Sequence, residues 1–263
     1  MPFFPLKSFP LRSFRAAPED DALKKLGEAS TEAFGPTLRL ISWNIFKSQR
    51  RGWLSDLTTL ATGADMVLLQ EAVLHGGVAH PFHLASGLEW VMVENLRSVR
   101  EHVTTGPKTG CRVAAASMAF VRSQDFEPII GTPKTFLHTE YPLAGGARLL
   151  VLNVHAINLV SHTKFARQVA QITSKVQGHD GPCIIAGDFN TWNEPRWHLL
   201  QKSMAGAGLT RAPVAAPQWR HFNQTLDHVF YRGVRLISAR ALTHVRSSDH
   251  IPLAADFDLT SAG

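Results

Sequence analysis

The chain has 263 residues, 44% hydrophobic and 18% charged, the balance of an ordinary soluble globular protein with a sizeable core. No stretch approaches the roughly 18 consecutive apolar residues of a membrane span, and two cysteines, Cys111 and Cys183, exclude a disulfide framework or an all-cysteine zinc site. A formal charge of +6 favours polyanionic partners such as nucleic acid.

Residues 1–36 read as an N-terminal arm, partly irregular. Lys7, Arg12 and Arg15 stand among Pro2, Pro5, Pro10 and Pro18 with no acid, and the prolines interrupt both a signal-peptide core and an amphipathic helix. A cytoplasmic location is therefore expected. The folded body is placed at 37–263. Leu38, Leu40, Ile41, Trp43 and Ile45 predict a strand. Trp53, Leu54, Leu57, Leu60 and Ala61 follow helical spacing up to Gly63. Met66–Gln70 then reads as a buried strand that ends at Glu71.

The middle of the chain looks loop-rich. His75, His80, His83 and His102 are expected in solvated loops. The segment 97–112 reads as basic and turn-rich because of Gly106, Pro107 and Gly110. Short strands are predicted at 90–94, 113–122 and 134–142, with Gly145-Gly146 turning into a strand at 147–155. Phe165, Val169, Ile172 and Val176 mark an amphipathic helix. The apolar run Cys183–Ala186 is a strand, Trp197, Leu200 and Met204 lie on a helix, and 225–231, 234–241 and 251–259 are strand-like. Strands alternating with helices and hairpins predict an α/β fold in which two mixed sheets pack face to face under outer helices.

The chemistry sits at strand ends. Asn44, Glu71, His155, Asp188 with Asn190, and Asp249 with His250 each end, or lie just beyond, an apolar strand. Asp227 begins one, which places it at the same rim if that strand runs antiparallel to its neighbours. Carboxylates and imidazoles are costly to bury, so their recurrence at such positions points to one polar, metal-binding centre. Plainer roles exist for single members: Asn44 as a turn cap, Glu71 as a solvated strand end, His155 as a backbone-bonded histidine.

The ordered segments Ser42-Trp43-Asn44, Leu69-Gln70-Glu71, Asn153-Val154-His155, Gly187-Asp188-Phe189-Asn190, Leu226-Asp227-His228 and Ser248-Asp249-His250 resemble the endonuclease/exonuclease/phosphatase superfamily over residues 38–258. The resemblance implies a four-layer αββα sandwich and hydrolysis of phosphate esters with Mg2+, or Mn2+ in its place. It implies Glu71 as the main metal ligand, assisted by Asn44 and Asp249. It casts Asp227 as the partner of His250, Asp188 as the residue that orients or deprotonates water, Asn190 as a contact to the phosphate or that water, and His155 as a phosphate contact that could protonate the leaving oxygen or simply bind the anion. Either Asp188 or His250 could be the general base.

The chain departs from the abasic-site endonuclease branch. Phe46 and Lys47 stand where that branch carries an acid, and His155 replaces its tyrosine, which argues against abasic-site cleavage. Nucleic acid is the favoured substrate, with Lys47, Arg50 and Arg51 flanking the cleft, Arg97, Arg100, Lys108 and Arg112 as a second patch, and Trp192 as a surface on which a base could stack. A sphingomyelinase-like or small phosphoester hydrolase is the alternative. A binding module without turnover is a third reading.

Overall fold

The structure is a computed structural model, and it describes residues 14–75, 82–83, 86–98, 103–128, 131–214 and 225–260. Fifteen strands form two mixed sheets among these residues. The first sheet has nine strands. Its main path runs β1 (Phe14–Ala16), β6 (Leu96–Ser98), β7 (Val103–Cys111), β4 (Met66–His75), β3 (Thr37–Asn44), β15 (Leu253–Asp258) and β14 (Arg235–Ala241); β5 (Glu89–Val93) also pairs with β7, and β2 (Leu23–Leu26) with β5. The second sheet has six strands, in the order β12 (Thr210–Arg211), β13 (Asp227–Arg232), β11 (Cys183–Asp188), β10 (Arg148–His155), β9 (Pro133–Pro142) and β8 (Ser117–Phe126).

Period-two alternation sorts the side chains into layers. Leu38 and Leu40 of β3 meet Leu149 and Val151 of β10 and Ile184 and Ala186 of β11 in the inter-sheet core. Ile41 and Trp43 point the other way and pack on Leu57 and Ala61 of α1 (Trp53–Thr62). On the far side, Leu150, Leu152 and Ile185 pack under Phe165, Val169 and Ile172 of α2 (His162–Gln177) and Leu200 and Met204 of α3 (Glu194–Gly206). The result is the αββα sandwich expected from the sequence. None of these helices is long and apolar enough to cross a membrane.

Two crossovers set the site. β3 and β4 are parallel across α1, and β10 and β11 are parallel across α2, so the C-terminal ends of these four strands share one rim. The inner-facing rows turn polar as they reach it: Ser42 and Asn44 follow Leu40, Asn153 and His155 follow Val151, and Asp188 follows Ala186. β13 runs antiparallel to β11 and sets Asp227 opposite Asp188. Just below the rim, Gln70 Nε2 donates to Asn153 Oδ1 at 2.8 Å, and Asn153 Nδ2 donates to the carbonyls of Leu69 and Lys108 at 3.1 Å each. These buried bonds pin one sheet to the other immediately beneath the polar residues.

Three expectations need correction. Met66–Gln70 does not end at Glu71: the strand continues to His75 after a bulge, with Leu69 paired to Lys108 and Ala72 to Gly106. Gln70 and Glu71 there oppose the single residue Pro107, which has no N–H to give the ladder. Secondly, 97–112 is not a run of turns, because β7 spans Val103–Cys111 and is buried throughout. Its glycines are required by close approach: a Cβ on Gly106 would lie 1.8 Å from the Val93 carbonyl oxygen, and one on Gly110 would lie 2.6 Å from the Trp90 ring. Thirdly, the strand placed at 113–122 runs instead from Ser117 to Phe126. Cys111 and Cys183 are both free and buried.

Candidate active site

The rim opens into a cleft of about 630 Å3 lined by Asn44, Glu71, His155, Asp188, Asn190, Asp249 and His250, among others. Asp188 is at its centre. Asn44 Nδ2 donates to Asp188 Oδ2 at 3.1 Å, and the Asn190 backbone N–H donates to Asp188 Oδ1 at 2.9 Å. His155 Nε2 and His250 Nε2 stand 3.7 and 3.8 Å from Asp188 Oδ2. Asp227 does not line the cleft. It lies behind His250, with its Oδ2 2.7 Å from Nδ1 of that imidazole. Asp249, half-buried, and Trp192, 39% exposed, form part of the wall.

Backbone geometry places two of these groups. Glu71 has φ 53° at the bulge, and Asn190 has φ 51°. Non-glycine residues in this region cost about 1–3 kcal/mol each and persist where their surroundings over-determine them. Asn190 is held by its N–H on Asp188 and by its Nδ2, which donates to the Ala156 carbonyl at 2.8 Å. Gly187, φ 143°, is needed beside it because a Cβ there would sit 1.9 Å from the Val154 carbonyl oxygen. Ser248 ties the last motif to the first: its Oγ donates to the Asn44 carbonyl at 2.6 Å and accepts the His250 N–H at 3.2 Å.

Burial and neighbouring charge divide the titratable groups. Burial would lower the His250 imidazole, but Asp227 and Asp188 outweigh it and lift it to about 10, so the ring is held as a cation. Burial, reinforced by the charge of Asp227, holds Asp188 above the ordinary carboxylate range against the pull of His250. Burial also raises Asp227. His155 goes the other way: burial, with Lys134 beside it, keeps it well below the ordinary imidazole value. Burial would raise Glu71, but positive neighbours, Lys47 first, hold it at about 2.

Four participants belong to no motif. Lys134 Nζ lies 3.4 Å from His155 Nε2 and 3.6 Å from Glu127 Oε2, and Glu127 Oε1 accepts the Asn158 N–H at 2.8 Å. Asn158 Oδ1 accepts from Trp192 Nε1 at 3.0 Å. Arg196 is buried: Nη1 donates to the carbonyls of Ile157 and Asn190, Nη2 to that of Val160, and the guanidinium lies 4.9 Å from the Trp192 ring centroid.

Among the described residues the second basic patch does not form. Lys108 is buried against His83 and Trp90, Arg97 pairs with Asp21 and Glu94, and Arg112 donates to the carbonyls of Ala64 and Thr62. Arg100, His80 and His102 fall outside the described residues. His83 is buried rather than solvated, because it closes over Lys108. Near the cleft, Lys47 reaches Glu71, Arg50 donates to the Ser248 carbonyl, and Arg51 is exposed.

A hard cation suits one part of this arrangement. Glu71 Oε2 is buried and accepts no aligned hydrogen bond among the described residues; the Lys47 ammonium lies 3.3 Å from it, and His155 Nε2 lies 4.0 Å from Oε1. Oxygen donors from Glu71, Asn44 and Asp249 match the preference of Mg2+. Asp188, Asp227 and His250 also offer atoms within 4.8 Å of one another. That trio is a poorer cage, since Asp227 is already engaged with His250 Nδ1.

The sequence profile of the "Endonuclease/Exonuclease/phosphatase family" matches residues 41–250. A UPF0294 protein of Vibrio vulnificus is 35% identical over 225 residues, covering 84% of this chain and 77% of the relative. The fold is similar to an endonuclease/exonuclease/phosphatase structure from Beutenbergia cavernae (TM-score 0.65, 18% identity, 85% of this chain and 72% of the other). It is also similar to a Staphylococcus aureus beta toxin with bound magnesium ions (TM-score 0.60, 13% identity, 83% and 98%). The chain belongs to the endonuclease/exonuclease/phosphatase family, whose members are metal-dependent phosphoester hydrolases.

Proposed function

We propose that the protein is a Mg2+-dependent phosphodiesterase that hydrolyses nucleic acid, with Mn2+ able to replace Mg2+. The observation that carries this reading is the meeting of Glu71, Asn44, Asp188, His155 and His250 in one cleft, with Asp227 locked behind His250. Glu71 would be the principal metal ligand, with Asn44 and Asp249 beside it. When bound, the cation would polarise a phosphoryl oxygen and offset the charge that builds in the transition state.

The chain's own groups divide the remaining work. Asp227 fixes the Nδ1–H of His250, so Nε2–H of the cationic ring faces the cleft and binds a phosphate oxygen. Asp188 is the favoured base: Asn44 Nδ2 and the Asn190 N–H fix its carboxylate in the cleft, and burial raises its basicity, which suits it to orient and deprotonate the attacking water. Asn190 has committed one N–H to Ala156 and offers its remaining amide groups to the water or phosphate. Burial and the neighbouring Lys134 disfavour the charged form of His155, and Lys134 Nζ stands 3.4 Å from its Nε2 on this wall. Trp192 supplies an aromatic face for a base.

One feature favours a lipid phosphodiester instead: Leu159, 58% exposed, lines the same cleft as Trp192. Purified protein with Mg2+ would be offered supercoiled plasmid, oligonucleotides and choline-phospholipid vesicles. Nucleic-acid cleavage that is lost in Glu71→Gln and His250→Ala supports the proposal. Phosphocholine release with intact nucleic acid moves the assignment to a phospholipid hydrolase. No hydrolysis of any substrate with either metal overturns it.

A further inference from the structure

Phe46, Lys47 and Ser48, directly after β3, all have positive φ (49°, 50° and 60°). Such a run without glycine is strained, and its neighbours enforce it. Asn44 Oδ1 accepts the Phe46 N–H at 3.1 Å, the Ser48 N–H bonds the Ile45 carbonyl at 3.0 Å, and Ile45 N–H bonds the Gln70 carbonyl at 3.1 Å. The turn carries the Lys47 ammonium over the sheet to 3.3 Å from Glu71 Oε2. Glu71 itself is delivered by the left-handed residue of the bulge. Two strained segments on neighbouring strands thus bring a lysine onto the one buried carboxylate oxygen that lacks an aligned donor among the described residues.

We propose that Lys47 is a built-in counter-ion of Glu71 that competes with the catalytic cation and, once displaced, turns to the substrate phosphate. This rests on Glu71 being the principal metal ligand. A divalent ion and an ammonium on the same carboxylate oxygen repel each other strongly in a half-buried site. The lysine is the one that can yield: its stem is long and flexible, and its side chain is 35% exposed along the cleft wall. Without metal, it spares Glu71 an uncompensated buried charge. With metal, the same ammonium remains in the cleft, where an anionic substrate needs a partner. The arrangement makes metal affinity weaker than the oxygen donors alone would give, and it stabilises the metal-free protein.

Calorimetric titration with Mg2+ and with Mn2+, and thermal melting of the metal-free protein, would be measured for the parent chain, Lys47→Met, Lys47→Arg and Glu71→Gln. Lys47→Met should bind metal more tightly, on the order of tenfold, and melt at a lower temperature without metal. Lys47→Arg should stay close to the parent in both. Metal affinity within twofold of the parent in Lys47→Met, or an unchanged metal-free melting temperature, overturns the role of Lys47. If the parent chain binds no metal, or Glu71→Gln binds it as well as the parent, the reading of Glu71 fails instead.

Discussion

Asp227 opens a strand of the six-stranded sheet and His250 precedes a strand of the nine-stranded one, and they meet at 2.7 Å through Nδ1 of the imidazole. Asp227 opens β13, whose antiparallel pairing with β11 sets it opposite Asp188. His250 hangs from the segment before β15, fixed by the Ser248 hydroxyl and by its own carbonyl, which accepts from Trp43 Nε1 at 3.3 Å. The carboxylate therefore decides which nitrogen of the ring faces the cleft and keeps that ring charged.

Asp227→Asn keeps the shape and removes the charge. The ring then loses its main counter-charge, and either tautomer can face the cleft. Turnover should fall by about 10–100-fold or more, with a smaller change in KM. Steady-state kinetics on a cleavable phosphodiester measures it. Because Asp227 and Asp188 together lift His250 to about 10, the activity of the parent should persist above pH 8. In Asp227→Asn it should decline at lower pH, as the ring deprotonates earlier.

Chelation of divalent metal should abolish hydrolysis, and Mg2+ or Mn2+ should restore it. Glu71→Gln keeps the bulge and its packing but removes the charge, and should cost on the order of 10²–10³-fold in turnover. Near-UV circular dichroism like that of the parent would show that the loss is local. Turnover that survives chelation would remove the cation from the reaction.

Arg196 makes no ion pair among the described residues, yet it donates to carbonyls on both loops that frame the cleft, Ile157 and Val160 on one and Asn190 on the other. Phe165 lies 4.5 Å and Trp192 4.9 Å from its guanidinium carbon. Arg196→Lys retains the charge but not the fork, and leaves buried carbonyls unpaired. A loss of about 2–4 kcal/mol in urea unfolding is expected. A fall in kcat larger than the change in KM should accompany it, since Asn190 loses its anchor.

The parts of the site that could be read in the sequence are those that end an alternating row. Asn44, His155 and Asp188 each continue an inner-facing series that is apolar until its last members, and Asp227 begins one in the reverse direction. Period two alone puts all four at one rim once the strand directions are set. The bulge at Glu71 was not legible, because it depends on Pro107 lying opposite, a pairing between distant segments. The same holds for β7, whose glycines resemble turn signals but answer to Val93 and Trp90 on β5. Lys134 and Arg196 carry no motif: register brings Lys134 to the cleft, and helix placement sets Arg196 behind the loops that frame it.

Lys108 offers a pH test away from the cleft. Its ammonium is buried, and among the described residues its neighbours are the His83 imidazole and the face of Trp90, with ring centroid 5.3 Å away, rather than a carboxylate. Burial lowers its pKa from 10.5 to about 7. The unfolded chain therefore binds more protons than the folded one between about pH 7 and 10.5, and stability linked to this group must rise with pH across that window. Below pH 7 the folded protein bears the full cost of a buried charge; above 10.5 both states are neutral and the cost is gone. Lys108→Met removes the charge while keeping the length of the side chain. It should stabilise the protein by about 1–4 kcal/mol at pH 6, and the gain should shrink steadily towards pH 10. Urea unfolding of both proteins at matched pH isolates this lysine together with the imidazole it touches, because every other titrating group is common to the pair. A gain that does not change between pH 6 and pH 10 would show that the ammonium is solvated or paired in the folded state.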